Sequence, residues 1–223
     1  MTKGIVYIIY GNQHESLLRR SMLSVDKNHP DLPIKIGRRD TGQLIDKAGM
    51  YDLSPFDVTL YLDVDTVVMG DLSYGFKKAE SHGIAACICE CPWARRYGGL
   101  KHVGDVREFN TGVLFFDKRL STSTFKRWPK ISADLDSSMQ FYVGDEVRVM
   151  PSNDQASFAM ALEDGGMNPF VLPMNWNLRP TWHKSWWGPI KVYHDYKEPP
   201  KALERWNADQ SNPDNILRYM EVR

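Results

Sequence analysis

Short apolar runs rich in β-branched residues recur along this chain and limit its fold most strongly. The first, residues 4–10, is apolar at almost every position and ends at a Gly-Asn pair. A strand buried on both faces has this composition, because neither face needs polar residues, and such strands occur mainly in parallel sheets. Similar runs at later positions predict five more strands, over residues 32–36, 58–62, 84–89, 112–116 and 190–193.

Helical patterns separate several of these strands. Apolar residues recur at three- and four-residue spacing over 16–25, 43–53 and 154–162, and either Ser152 or Asn153 can cap the third helix. Strands that alternate with helices predict an α/β fold with a mostly parallel central sheet. In such folds the ligand site lies beyond the carboxyl ends of the strands.

The domain organisation follows from length and the lack of linkers. A chain of 223 residues suffices for one substantial domain, and we find no repeat or low-complexity segment that demands a second. Two short amphipathic patterns follow Pro199. We therefore expect one domain over residues 1–198 and a short helical tail over 199–223 packed on it.

Composition excludes several classes of protein. The 28 Lys and Arg residues balance 28 Asp and Glu residues, so the basic excess typical of nucleic-acid binders is missing. The apolar run over 58–69 is interrupted by Asp63 and Asp65, and no stretch reaches the length of a membrane span. The first residues lack the pattern of a signal peptide. We expect a cytoplasmic protein without nucleic-acid partners.

The three cysteines, Cys87, Cys89 and Cys91, are spaced by two, so a strand would place them on one face. Their number is odd, and no second cysteine pair completes a metal site. We interpret them as small buried residues of a strand.

Asp63 and Asp65 directly follow the predicted strand over 58–62. Two carboxylates in this position can both face one divalent cation, and oxygen ligands of this kind suit Mg²⁺ or Mn²⁺. A solvated turn is the alternative, since Asp is common where strands end.

Two classes of enzyme place an acid-x-acid segment after a strand. Haloacid-dehalogenase-like phosphatases need a Thr four positions after the first acid, where this chain has Val67, and Thr66 lies one place early. The second class is the nucleotide-sugar glycosyltransferases. A metal-dependent phosphatase or nucleotidyltransferase, and a non-catalytic protein that binds a nucleotide-sugar or glycan, stay open as alternatives.

Five segments resemble, in the same order, the motifs of glycosyltransferase family 8, which includes glycogenin and bacterial galactosyltransferases. Residues 54–72 resemble its metal-binding segment, and residues 109–116 resemble its Asn-Ala/Ser-Gly-Val strand. Residues 153–155 match its Asp-Gln pair at a helix start, and residues 171–177 match its Leu-Pro-x-x-Trp/Phe-Asn segment. Residues 191–194 resemble its late strand ending in His. The resemblance implies a single-domain, Rossmann-like GT-A fold.

The resemblance also implies roles for individual residues. Asp63 and Asp65 match the two acids that hold Mn²⁺, and His194 matches the third protein ligand. The remaining matches concern the donor substrate: Lys47 corresponds to a residue that reaches the donor phosphate or sugar, Asn110 and Asp154 to sugar contacts, and Gln155 to the residue beside the anomeric carbon.

The nucleotide is expected at the end of the first strand, where Tyr10, Gly11 and Asn12 match the nucleobase site, with Val64 between the two acids. The family has a phosphate-binding Lys six positions after its His, where this chain has Pro200. Lys197 and Lys201 are the two possible substitutes, and we assign Lys197 to the donor site.

By this resemblance, the protein is expected to be a metal-dependent hexosyltransferase that acts with retention of configuration. Its partners would be a UDP-sugar donor, Mn²⁺ or Mg²⁺, and a glycan or other hydroxyl acceptor. Four tryptophans close together in the chain fit either an acceptor platform or structural packing, and the sequence leaves both open: Trp176, Trp182, Trp186 and Trp187.

Overall fold

A computed structural model describes residues 1–39, 44–90, 106–135, 140–149 and 153–221. The helices within these ranges are α1 (Glu15–Asn28), α2 (Met50–Leu53), α3 (Ser73–His82), α4 (Lys118–Asp134), α5 (Asp154–Gly165) and α6 (Lys201–Gln210). The strands are β1 (Lys3–Tyr10), β2 (Ile34–Arg39), β3 (Val58–Leu62), β4 (Thr66–Val68), β5 (Ile84–Ile88), β6 (Phe109–Asp117), β7 (Gln140–Val143), β8 (Glu146–Val149), β9 (Phe170–Val171), β10 (Ser185–Trp187), β11 (Val192–His194) and β12 (Tyr219–Glu221).

Six strands form the central sheet, in the order β2-β1-β3-β6-β5-β9. The pairs β1–β2, β1–β3 and β5–β9 are parallel, whereas β6 runs antiparallel to both β3 and β5. The expected α/β fold with a mostly parallel sheet is confirmed. Because β6 is reversed, its first residues lie at the edge where β1 and β3 end.

The sheet is covered on both faces, as the apolar runs predict. Ile5, Tyr7 and Ile9 of β1 belong to a core cluster that includes residues of α1 and α3. Val6 and Ile8 point the other way, into a cluster with residues of α4 and α5. Alternate side chains of one strand therefore enter two separate apolar layers, which is why its sequence shows no polar alternation.

A second, two-stranded ribbon lies beside the main sheet. β4 pairs antiparallel with β11, so that Thr66 lies opposite His194. The sequence predicts β11, over residues 190–193, but it does not predict β4. That strand has only three residues directly after an acidic turn, which is too short to show a pattern. The ribbon brings His194 close to the turn that contains Asp63 and Asp65.

The helix expected over 43–53 is confirmed in part. Residue 43 lies outside the described ranges, and Leu44–Gly49 form a 3₁₀ helix before the single turn of α2. The helix over 154–162 is confirmed as α5, and Asn153 caps it by accepting a hydrogen bond from the backbone amide of Ala156. Ser152, the other candidate cap, lies outside the described residues.

The tail after Pro199 contains α6, as expected, but its second amphipathic pattern does not form a helix. It leads instead into β12, which pairs antiparallel with β10. Ile216 and Leu217 of that pattern are exposed. The division at residue 198 stays a prediction.

Cys87 and Cys89 are buried, while Ile88 between them is exposed, so the expected shared face is confirmed for these two residues. Cys91 lies outside the described residues, as do residues 92–105. Among the described helices, none is both long and apolar enough to cross a membrane. The expected cytoplasmic location stays a prediction.

Candidate functional site

The two acids lie in a tight turn at the end of β3. The backbone amide of Asp63 donates to the carbonyl of Gly112 on the reversed strand β6, at 2.8 Å. The amide and hydroxyl of Thr66 both donate to the carbonyl of Asp63, at 3.2 and 2.7 Å. These bonds hold the turn by its backbone and leave both carboxylates directed away from the core.

His194 reaches these acids because it is the last residue of β11. Its Nε2 lies 3.2 Å from an oxygen of Asp65 and 3.8 Å from an oxygen of Asp63. One ligand atom from each of the three residues lies within 4.8 Å of the others. The structure thus brings together the three predicted metal ligands, although more than a hundred positions separate His194 from the acids in sequence.

Gly112 leaves the space in front of this cluster open. A Cβ at this position would lie 2.4 Å from Cε1 of His194 and 2.6 Å from Oδ2 of Asp63. Any other residue would therefore fill the cluster with its own side chain. Two carboxylates, one imidazole and a cradle kept open by glycine fit a divalent cation such as Mn²⁺, for which this mixed O and N donor set is suitable.

A chain of amide side chains fixes the orientation of His194. Oδ1 of Asn110 accepts from the backbone amide of Gly112 at 3.0 Å, and this backbone donor defines which end of the Asn110 amide is oxygen. The same Oδ1 accepts from Nδ2 of Asn177 at 2.8 Å, so Oδ1 of Asn177 faces Nδ1 of His194, also at 2.8 Å. Nδ1 therefore carries the proton, which leaves the lone pair of Nε2 free to bind a cation.

The chain continues from Asn110 to the start of α5. Nδ2 of Asn110 donates to Oε1 of Gln155 at 2.9 Å. The predicted sugar contact and the predicted residue beside the anomeric carbon are thus in contact with each other. Through Asn177 and Asn110, the imidazole of His194 and the Gln155 side chain share one network of hydrogen bonds.

Lys47 lies between two carboxylates. Its Nζ is 2.8 Å from Oδ2 of Asp63 and 3.2 Å from Oδ2 of Asp154, and the whole residue is buried. Burial alone would lower the pKa of Lys47, but the charges of Asp154 and Asp63 outweigh it and raise that pKa well above its usual value. Lys47 is therefore a fixed positive charge at ordinary pH.

The two acids differ in their environment. Oδ1 of Asp63 accepts from the hydroxyl of Tyr61 at 2.9 Å, in addition to the bond from Lys47. Burial would raise the pKa of Asp65, but the interactions with His194 and then Lys47 lower it below its usual value. Asp154 accepts a further hydrogen bond from the hydroxyl of Thr111. Each of these three carboxylates therefore has at least one hydrogen-bond donor or cationic group beside it.

Two clefts flank this cluster. The first, of about 200 Å³, is bounded by the end of β1 and by the acid turn, and its lining includes Tyr10, Lys47, Asp63, Val64 and Asp65. The second, of about 160 Å³, lies on the other side of Asp65 and His194. Asp65 and the exposed residue Tyr196 line both clefts.

The remaining predicted residues lie around the first cleft or outside it. Tyr10 faces it, and among the described residues its buried hydroxyl has no hydrogen-bond partner. Gly11 turns the chain with a φ of 53° and is exposed together with Asn12. Lys197 is exposed on the turn after β11 and lines neither cleft.

The tryptophans divide into two groups. Trp176 and Trp186 are buried in core clusters, which accounts for both as packing residues. Trp182 is half-exposed and lines the second cleft, where the Arg179 guanidinium lies 5.7 Å from its ring centre. Trp187 is exposed and contacts Tyr219 of β12. Of these four tryptophans, only Trp182 is placed where it could contact a ligand of the site.

Sequence reasoning assigned no role to Tyr61, Thr111 or Asn177, although all three contact the predicted site residues. Each lies inside a segment that carried the family resemblance. The sequence contains one indication of a role for them, which is that each is a polar residue within a motif segment. A polar residue within a buried strand or loop needs a hydrogen-bond partner there.

Comparisons with solved structures identify the fold. GlyE, a glycosyltransferase of Streptococcus pneumoniae TIGR4, superposes with a TM-score of 0.57 at 17% identity, over 97% of this chain and 58% of GlyE. The galactosyltransferase LgtC, solved with donor and acceptor sugar analogs, gives a TM-score of 0.57 at 16% identity, over 96% of this chain and 97% of LgtC. This chain therefore spans little more than half of GlyE but nearly all of LgtC.

Mouse xyloside xylosyltransferase 1 is also similar, with a TM-score of 0.54 at 12% identity, over 87% of this chain and 98% of that one. No protein-family model matches the sequence, and no curated protein matches it significantly. At these identities the comparisons show the fold alone, which is that of the GT-A glycosyltransferases. They agree with the resemblance to glycosyltransferase family 8.

Proposed function

We propose that this protein is a metal-dependent, retaining glycosyltransferase that moves a hexose from a UDP-sugar to an acceptor hydroxyl. One observation carries the proposal. Asp63, Asp65 and His194 converge beside the first cleft, and the same network of contacts reaches Lys47, Asp154 and Gln155. A cation site, a fixed positive charge and groups that can hold a sugar are therefore adjacent, as transfer from a nucleotide-sugar requires.

The cation would be Mn²⁺ or Mg²⁺, held by Asp63, Asp65 and His194. When bound, it would stabilise the negative charge that develops on the departing diphosphate. The protein's contribution is to orient these ligands: Asn177 fixes the ring of His194, and Gly112 leaves the space open. Without a cation, the two acids are compensated in part by Lys47, which contacts Asp63.

Lys47 supports the same step. Its charge is fixed between Asp63 and Asp154, so it stabilises a nearby diphosphate without giving up a proton. Asp154 and Asn110 would hold hydroxyl groups of the donor sugar, since carboxylates accept hydrogen bonds and amides both donate and accept them.

Gln155 would lie beside the anomeric carbon. Its amide does not titrate, so it cannot act as a general base. Its Oε1 accepts one hydrogen bond, from Asn110, and has a second lone pair that could face the positive charge developing at the reacting carbon.

The nucleotide would occupy the first cleft, with the base near Tyr10, Gly11 and Asn12 and the ribose-phosphate near Val64. The hydroxyl of Tyr10 is buried and has no hydrogen-bond partner in the described part of the chain, so such a ligand could supply one. Lys197 is proposed to bind the phosphate. The support for this is that it directly follows Tyr196, which lines the cleft.

The phosphatase alternative is less well supported. The Thr66 hydroxyl, which a phosphatase would need at the phosphate, donates to the carbonyl of Asp63 and contacts Ser21.

The direct test is a panel of nucleotide-sugars incubated with Mn²⁺, scored for slow hydrolysis of the donor, which needs no known acceptor. We expect sugar release from at least one UDP-hexose, and we expect the Gln155→Ala variant to be slower. Phosphate release from simple esters without nucleotide would favour the phosphatase. Binding of UDP-sugars with neither hydrolysis nor transfer would favour a non-catalytic binding protein.

A further inference from the structure

Arg20 lies on α1, outside the predicted site, yet its side chain binds the backbone of both segments that carry the expected metal ligands. One guanidinium nitrogen, Nη2, donates to the carbonyls of Asp65 at 3.2 Å and Asp195 at 2.6 Å. The other, Nη1, donates to the carbonyl of Tyr196 at 3.0 Å. A single side chain thus joins three carbonyls from two distant parts of the chain.

The position of these bonds matters because the β4–β11 ribbon ends just before them. Its last backbone pair is Thr66 with His194, and beyond it the amide of Asp195 donates to the carbonyl of Asp65 at 3.0 Å. Arg20 continues the connection where the ladder stops. This guanidinium therefore holds the backbone carbonyl of Asp65 and the carbonyls of the two residues that follow His194.

The chemistry of this contact requires arginine in particular. A guanidinium is planar and presents its N–H groups in a fixed fork, whereas an ammonium is a point charge at the end of a flexible stem. The Arg20 side chain is only 13% exposed, and its one ion-pair partner among the described residues, Glu198, lies 3.8 Å away. The carbonyls are consequently the main partners that compensate its burial.

Arg20 also holds the backbone of Tyr196. Tyr196 lines both clefts, and the residue is 66% exposed. Its ring lies 6.2 Å from the ring of His14, centre to centre. Its backbone carbonyl is the Nη1 partner of Arg20. Arg20 therefore holds the backbone of a residue that borders both clefts.

We propose that Arg20 is a positioning residue, which holds the His194–Tyr196 turn against Asp65 and thereby sets the geometry of the cation cluster. This inference rests on the proposed function for its consequence, but the contact that it describes is independent of it. Arg20 touches no substrate in this account and acts only through the backbone of the ligand segments.

The first test needs no ligand. Amide hydrogen exchange of the peptide over 193–198 is compared in the wild type, Arg20→Gln and Arg20→Lys. We expect exchange to be at least about tenfold faster in Arg20→Gln, because the backbone bond from Asp195 to Asp65 opens more often. Arg20→Lys should give an intermediate rate, and it serves as the test variant if Arg20→Gln does not fold.

Arg19→Gln is the matched control, because Arg19 is the neighbouring residue of the same helix and is exposed. Its exchange over 193–198 should equal that of the wild type. Unchanged exchange in a folded Arg20→Gln variant, or in Arg20→Lys when it is the only folded variant, would overturn the proposal.

The second test measures Mn²⁺ affinity by calorimetry, with Mn²⁺ alone as the probe and near-UV circular dichroism as the check of folding. We expect Arg20→Gln to bind Mn²⁺ roughly ten- to a hundredfold more weakly, as for other residues that orient metal ligands, and Arg19→Gln to bind it normally. Faster exchange with undiminished Mn²⁺ affinity would overturn the role in the cluster. Faster exchange in a protein whose wild type binds no Mn²⁺ would contradict the proposed function and leave the positioning of the turn intact.

Discussion

Nδ1 of His194 and Oδ1 of Asn177 are joined by a hydrogen bond of 2.8 Å, in a position where Asn177 is almost completely buried. Asn177 can offer only its oxygen there, because its Nδ2 donates to Asn110. The orientation of the imidazole is thus set by an amide network whose reference point is a backbone N–H, that of Gly112. A predicted metal ligand and a predicted catalytic residue are oriented by the same small set of side chains.

Replacing Asn177 by Ala should therefore affect both stability and metal binding. The buried partners left without a hydrogen bond should cost about 1–3 kcal/mol of the free energy of unfolding. Mn²⁺ affinity, measured by calorimetry on the folded protein, should fall roughly ten- to a hundredfold. The control is Asn175→Ala, which removes a bond to the Pro189 carbonyl away from the cluster. Equal Mn²⁺ affinity in the two variants would contradict this role of Asn177.

Gly112→Ala should eliminate metal binding. The added Cβ would lie within 2.6 Å of both His194 and Asp63, closer than real contacts allow, so the ligands must move. Gly165→Ala is the matched control, since its Cβ would meet only side-chain atoms at ordinary distances, 3.5 Å or more. Thermal unfolding of both variants with and without Mn²⁺ tests this. We expect Mn²⁺ to raise the melting temperature of Gly165→Ala and not that of Gly112→Ala.

The sequence was sufficient to predict the parts of the fold that depend on local pattern. The strand that ends at Asp63 and the helix that begins at Asp154 were both predicted, because buried strands and capped helices have clear signatures. The acid pair could be interpreted as a cation site from its position alone. His194, however, was connected to it only through the family resemblance.

Contacts that depend on tertiary structure could not be predicted. Arg20 belongs to an amphipathic helix, and the pattern of such a helix predicts that its Arg residues lie at the surface. The three carbonyls that Arg20 contacts come together only when the β4–β11 ribbon has formed. β4 is too short to show a period, yet its pairing with β11 places Thr66 opposite His194. Asn177 belongs to one of the motifs, but the sequence did not predict its contacts with His194 and Asn110.

Asp154→Asn and Gln155→Ala should separate binding from chemistry. Asp154→Asn should loosen the donor sugar and also remove one of the two charges beside Lys47, so transfer weakens while UDP still binds. Gln155→Ala should lower kcat roughly ten- to a thousandfold with little change in donor affinity, because its contact strengthens mainly in the transition state. Steady-state donor hydrolysis and UDP affinity in both variants test this. Wild-type turnover in Gln155→Ala would show that the residue is not beside the reacting carbon.

The Cys87 thiol should be unreactive in the folded protein. Burial, and then the charge of Glu90, raise the pKa of Cys87 far above its usual value, and its Sγ contacts the carbonyl of Pro173. Because the thiolate is the reactive form, iodoacetamide at pH 8 should not modify Cys87 until denaturant is added. Peptide mass spectrometry measures this residue separately from the other cysteines. Rapid modification of Cys87 in the native protein would mean that the strand is not packed as described.

Asp63, Asp65 and His194 are proposed to form a cation site to which a nucleotide diphosphate binds. UDP affinity measured with and without Mn²⁺ shows whether they do. Calorimetric titration of UDP into the wild-type protein should give at least about a hundredfold tighter binding with Mn²⁺ than with EDTA, equivalent to about 2.8 kcal/mol. Asp65→Asn should remove most of that difference. UDP binding of equal affinity in Mn²⁺ and in EDTA would contradict the account.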